Sequence, residues 1–298
     1  MLRLAFALIT TLSLAAGAAL ADEWKPLLTP AELASIVESQ EPILVDIRGV
    51  ADYREGHVEG AVNVPYHAWR GPESNPGALI SDEKLTLILS ELGVETGTPV
   101  VVTYRGANST DFGSAARVYW TLKSAGVEEI AILNGGVTAW VEAGLDLSKS
   151  EASNFPSDAE FTFSNEWLID RDGVRAVVEG HRAALLIDAR PLTFFEGGKK
   201  HPLAAWAGTL TNALNLDHQS WFTNGASLIA DPVELQAIAA KASHVPGGPE
   251  IVSFCNTGHW AATNWFVLSE IAGIEGVKLY PESMVGWSQA VGRVAQAD

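Results

Sequence analysis

Leu44-Val45-Asp46-Ile47-Arg48 recurs as Leu186-Ile187-Asp188-Ala189-Arg190, and the rest of the chain can be aligned around that pair. Gly56-His57-Val58-Glu59-Gly60-Ala61-Val62-Asn63-Val64 recurs, more loosely, as Gly208-Thr209-Leu210-Thr211-Asn212-Ala213-Leu214-Asn215-Leu216. Val101-Val102-Thr103-Tyr104-Arg105 matches Ile251-Val252-Ser253-Phe254-Cys255. Leu133-Asn134-Gly135-Gly136, leading to Trp140, matches Tyr280-Pro281-Glu282-Ser283, leading to Trp287. The copies keep their order at separations of 142 to 152 residues, a period that means duplicated domains rather than a solenoid. Residues 25–148 form one domain and 160–298 the other, joined through the polar stretch 148–163 with its Pro156. A chain of 298 residues suits two cores of ordinary size.

Within each copy, short β-branched runs alternate with helical segments. Ile43 to Ile47, Val100 to Tyr104 and Ile130 to Leu133 read as strands buried on both faces. Thr29-Pro30-Ala31-Glu32 offers an N-cap, a proline in the first turn and a glutamate three residues on. Asp231-Pro232-Val233-Glu234 repeats the device, and Ser81 opens a helix carrying Leu85, Ile88, Leu89 and Leu92, closed by Gly93. The pattern predicts an α/β fold, each domain a mainly parallel sheet with helices on both faces. Ligands of such sheets bind beyond the carboxyl ends of the strands.

The formal charge is −17, from 36 acidic and 19 basic residues. That field repels nucleic acid and anionic membrane surfaces, so neither is expected as a partner. Met1-Leu2-Arg3, the apolar stretch from Leu4 to Ala16, and the small-x-small site Ala19-Leu20-Ala21 form a secretory signal peptide over residues 1–21. The mature chain is therefore expected in the periplasm or outside the cell. An unpaired thiol in an oxidising space is a liability unless it is used, and Cys255 is the single cysteine.

Cys255 ends the strand Ile251-Val252-Ser253-Phe254 and opens the loop Cys255-Asn256-Thr257-Gly258-His259-Trp260. The following helix is predicted to place Ala261, Trp265, Leu268 and Ile271 on one face. A thiol at a helix start, among unpaired backbone amides, is stabilised as the thiolate, and the same amides cradle an anionic ligand. The buried, inert cysteine is the alternative that composition alone leaves open.

The twice-repeated strand-Asp-x-Arg, the Gly-x-x-x-x-Ala-x-Asn segment, the Cys loop and the closing Trp resemble the rhodanese family of sulfurtransferases. The likeness covers nearly all of residues 25–298 and fits the tandem form, in which the second domain alone keeps the cysteine. It implies a persulfide on Cys255. A small anionic donor such as thiosulfate or 3-mercaptopyruvate would load it, a thiol or cyanide would accept the sulfur, and no cofactor or metal would be needed. Arg105 stands at the matching first-domain position, so that half is expected to be silent. Asn256, Thr257, Gly258, His259, Trp260, Arg190 and Lys199 are expected at the substrate, with a structural role shared with Arg48 as the alternative for Arg190 and an exposed basic turn as the alternative for Lys199. Members that use thiosulfate carry basic residues in the loop, whereas His259 is this loop's only candidate cation. Phe194 replaces the family's arginine in the Arg-Phe-x-Gly segment, and Lys199, Lys200 and His201 follow it. Cysteine phosphatases and arsenate reductases share a related loop, but their oxyanion clamp needs an arginine where this chain has Ala261. A carrier that holds a persulfide without turnover uses the same thiol and is the alternative function.

Overall fold

The computed structural model describes residues 24–222, 229 and 250–290. The leader at 1–21 and the helix start at Asp231–Glu234 lie outside the described residues.

The first sheet contains β1 (Leu27–Leu28), β2 (Ile43–Asp46), β3 (Val62–Asn63), β4 (Val100–Thr103) and β5 (Ile130–Leu133), in the order β1-β5-β4-β2-β3. The second contains β6 (Ala184–Asp188), β7 (Leu214–Asn215), β8 (Glu250–Phe254) and β9 (Val277–Leu279), in the order β7-β6-β8-β9. Every pairing within the two sheets is parallel. β4 and β5 are buried at every position, as their unbroken apolar runs require. The helix Pro30–Gln40 starts on a complete capping box: Glu32 N donates to Thr29 Oγ1 at 3.2 Å, and Thr29 N donates to Glu32 Oε2 at 2.8 Å. Ser81 caps the helix Asp82–Glu91, which turns Leu85, Ile88 and Leu89 inward.

The two Asp-x-Arg repeats fold into the same strut. Arg48 Nη2 donates to Asp46 Oδ2 at 2.6 Å and to Gly56 O at 2.7 Å; Arg190 Nη2 donates to Asp188 Oδ2 at 2.5 Å and to Gly208 O at 2.8 Å. Asn63 and Asn215 each use Nδ2 to bind two carbonyls of the adjoining Asp-x-Arg turn. A buried pair so well satisfied fixes the strand-to-helix crossover, and removing one partner of such a pair costs about 3–5 kcal/mol.

The helix after Cys255 departs from the single-face expectation. It runs as an α-helix over Trp260–Phe266 and as a π-helix over Val267–Ile271. The π turn shifts the phase, and Ala261 to Leu268 are all buried while Ile271 is only partly so. The cause is a second packing partner: the first-domain helix Ser109–Ser124 lies against it, with Phe112 meeting Phe266 at 5.7 Å and Tyr119 meeting Phe266 at 4.9 Å between ring centroids. That helix is itself buried at twelve of its sixteen residues, so both helices are enclosed on all sides. One apolar core consequently runs through both domains and includes Cys255.

Candidate active site

Cys255 sits at the carboxyl end of the central strand β8 and is 1% exposed. Its amide and that of Gly258 both donate to Ser283 Oγ, at 2.9 and 3.1 Å, while Ser283 Oγ donates to Tyr280 O at 2.9 Å. One hydroxyl thus fills its whole hydrogen-bonding capacity in folding the loop back over the thiol. Met284 N and Val285 N bind the carbonyls of Cys255 and Asn256, at 3.0 and 2.9 Å. The amides of Asn256, Thr257 and His259 have no protein acceptor among the described residues. Consecutive donors left open in this way are of the kind that can receive an anion. Gly258 lies at φ +67°, where a Cβ would fall 2.4 Å from both Arg117 Nη1 and Pro281 O, so this position accepts only glycine.

The positive charge at the loop comes from the first domain. Arg70 Nη2 donates to Thr257 O at 2.7 Å, and Arg117 Nη1 donates to Gly258 O at 3.3 Å. Arg117 is 1% exposed and stacks over Trp120. Burial, with Arg70 nearby, pulls its guanidinium down to about 9, whereas Tyr66 and the Cys255 thiolate favour its charge. It remains a cation at neutral pH.

His259 is not the loop's cation. Its Nε2 lies 2.6 Å from Thr110 O, which only accepts, so Nε2 carries the hydrogen. Nδ1 then accepts from the Tyr66 hydroxyl at 2.9 Å, and Tyr66 in turn accepts from Arg70 Nη1 at 2.9 Å. Burial first, and Arg70 next, drive the imidazole down to about 3. The unfolded chain protonates this ring near 6.5, so between the two values it binds more protons than the folded chain. Stability linked to His259 is therefore present above about pH 6.5 and is lost as pH falls towards 3. Melting temperatures measured from pH 7 down to pH 4 should decline less steeply in His259→Gln than in the wild type. Parallel slopes would show that the ring is not held neutral.

The remaining predicted residues divide by position. Asn256 is buried, with Oδ1 3.5 Å from Arg190 Nη1, and Trp260 stacks on His218 at 4.7 Å and donates Nε1 to Thr110 Oγ1 at 3.2 Å. Arg190 is a strut beneath the loop rather than a substrate-facing group, since its guanidinium is spent on Asp188 and Gly208 and its side chain is 2% exposed. Lys199 is exposed and its side chain makes no ion pair or hydrogen bond among the described residues; Lys200 turns back to Ala204 O, and His201 Nδ1 accepts from Leu203 N. Lys200 and His201 thus serve their own loop.

Tyr66, Arg70, Thr110, Arg117 and Ser283 were not singled out in the sequence. Two carried a signal: Arg117 is the one charged residue in the stretch from Phe112 to Leu122, and Ser283 falls where the first repeat has Gly136.

The first domain's equivalent loop is closed by its own chain. Asp111 Oδ2 accepts from Gly106 N at 2.8 Å and from Ala107 N at 3.0 Å, while Arg105 pairs with Asp52. A carboxylate occupies the cradle that the second domain leaves open.

Two parallel α/β domains, one with a thiol in an amide-lined strand-to-helix loop and one with that loop filled, define a duplicated single-thiol architecture. The chain belongs to the rhodanese-like domain family, whose model matches residues 29–143 and 170–290. It is 28% identical over 266 residues to the thiosulfate sulfurtransferase of Azotobacter vinelandii, covering 87% of this chain and 93% of that protein. It is 27% identical over 270 residues to the sulfur carrier protein TtuD of Thermus thermophilus, covering 86% and 88%. The crystal structure of SseA from Escherichia coli, a 3-mercaptopyruvate sulfotransferase, superposes with a TM-score of 0.73 at 25% identity, covering 87% of this chain and 98% of that one.

Proposed function

We propose that this sulfurtransferase works through a persulfide on Cys255, taking sulfane sulfur from thiosulfate or 3-mercaptopyruvate and passing it to cyanide or a thiol. The Cys255 thiolate attacks the donor's outer sulfur, the donor's sulfur bond breaks, and the residual anion leaves with the electron pair. The acceptor then attacks the outer sulfur of the persulfide, and Cys255 departs as thiolate, so no external oxidant or reductant is consumed. The observation that carries this reading is the set of unpaired amides beside Cys255, backed by Arg70 and Arg117 on the loop carbonyls. Fixed dipoles of this kind stabilise the anion before attack and after it without reorganising. They also give a local attraction for an anionic donor on a chain of charge −17.

Steady-state assay with each donor and cyanide should give many product molecules per protein. A single sulfur per protein, followed by arrest, is the result that the Thermus relative's name makes worth testing: it would assign a carrier in place of an enzyme. Ala19-Leu20-Ala21 further supports export, with a mature chain beginning at Asp22. N-terminal sequencing of protein from its native host should read from Asp22; an intact Met1 on cytosolic material would exclude export.

A further inference from the structure

The first domain has lost its thiol, yet it keeps a cavity of about 470 Å³ at the carboxyl ends of its strands. Its lining includes Asp52, Arg105 and Asp111 together with Tyr66, Thr110 and the catalytic loop's His259. A second cavity of about 580 Å³ shares Arg48, Asp52 and Arg105; Arg48 is committed to Asp46 and Gly56 O, so the Asp52–Arg105 pair is the free-standing charge between the two spaces. Its side chains are 34% and 55% exposed. An ion pair this exposed contributes little to stability, so it can open at little cost.

The charges select the ligand. A simple anion is disfavoured because the amides of Gly106 and Ala107 are already taken by Asp111, and Asp52 adds a second carboxylate. A simple cation meets the Arg105 guanidinium. A molecule bearing both charges can instead exchange the one ion pair for two. We propose that this cavity is a binding site for a small zwitterion of the α-amino-acid type, its ammonium on Asp52 and its carboxylate on Arg105. The volume falls within the usual range of small-molecule sites, and the position is where parallel α/β sheets bind ligands. Because Tyr66, Thr110 and His259 also line the cavity, it borders the hydrogen-bond chain that holds the cysteine loop. The site requires no chemistry at Cys255, so it is independent of the persulfide reading.

The test is calorimetric titration of the full chain, and in parallel of its Cys255→Ser variant, with L-serine as probe. N-acetyl-L-serine lacks the ammonium, L-serinamide lacks the carboxylate, and sulfate tests for a plain anion site. Serine should bind both proteins alike, and removing either charge should weaken binding at least about tenfold. Asp52→Asn and Arg105→Gln should each do the same while circular dichroism shows the native fold. The proposal is overturned if serine gives no binding, if either blocked analogue or sulfate binds as well as serine, or if both variants bind like wild type. Failure here with turnover intact, or the reverse, separates this site from the catalytic one.

Discussion

Cys255→Ser should fold, should gain no mass from excess donor, and should lose turnover by at least about a thousandfold. Wild-type protein under the same conditions should gain the mass of one sulfur atom and release it to cyanide or a thiol. The swap is close to isosteric, and the neighbouring amides of Asn256, Thr257 and His259 have no protein acceptor among the described residues. Burying a hydroxyl costs about 1–3 kcal/mol when it lacks a partner, and the nearby donors put this case at the low end. Loss of activity would then reflect lost nucleophilicity, not unfolding. Sulfur transfer by the serine variant, or product formation with wild-type mass unchanged throughout, would rule out a Cys255 persulfide.

Much of this architecture was legible because its causes are local. Thr29 and Glu32 are three residues apart, so their capping box announces itself. The β-branched runs at 100–103 and 130–133 are short and unbroken, which leaves little choice but buried strands. The duplicated Asp-x-Arg turn was legible as a repeat, and the strut geometry is the same in each half; that Arg190 is spent on the strut needed the structure. The loop's electrostatics were not legible. Arg70 and Arg117 lie 185 and 138 residues before Cys255 and reach the loop only because two helices from different domains pack face to face. That packing also hides the single-face pattern expected after Trp260, since a helix buried all round has no polar side to give it phase. His259 misled for a related reason. Its ring looks like a cation in sequence, but Thr110 and the Tyr66–Arg70 pair, all from the other domain, fix it as a neutral bridge. Gly113 records the closeness of that approach: a Cβ there would lie 2.9 Å from His259 Nε2.

Ser283→Ala should lower the melting temperature and cripple persulfide formation together, and comparison with Ser283→Gly shows why. Ser283 has two features that pull in opposite directions. Its backbone sits at φ +50°, a conformation that costs a non-glycine residue about 1 kcal/mol, and the first domain has Gly136 at φ +61° in the same repeat position. Its hydroxyl, in return, accepts the Cys255 and Gly258 amides and donates to Tyr280 O, all in a buried setting. Removing it strands two donors and one acceptor, at about 1–3 kcal/mol for each group that no water reaches. Alanine keeps the strain and loses the bonds, so a loss of about 2–4 kcal/mol is expected, or a fall in melting temperature of about 5–12 °C for a chain of this size. Glycine relieves the strain but restores no acceptor, and should recover only about 1 kcal/mol of that loss. In turnover the two variants should fail alike. Both release the amide of the nucleophile itself, so the sulfur is no longer held against the cradle, and the rate of persulfide formation should drop while the native fold persists. A glycine variant with wild-type stability and wild-type rate would mean that strain at φ +50°, and not the bonded hydroxyl, sets the cost at this position.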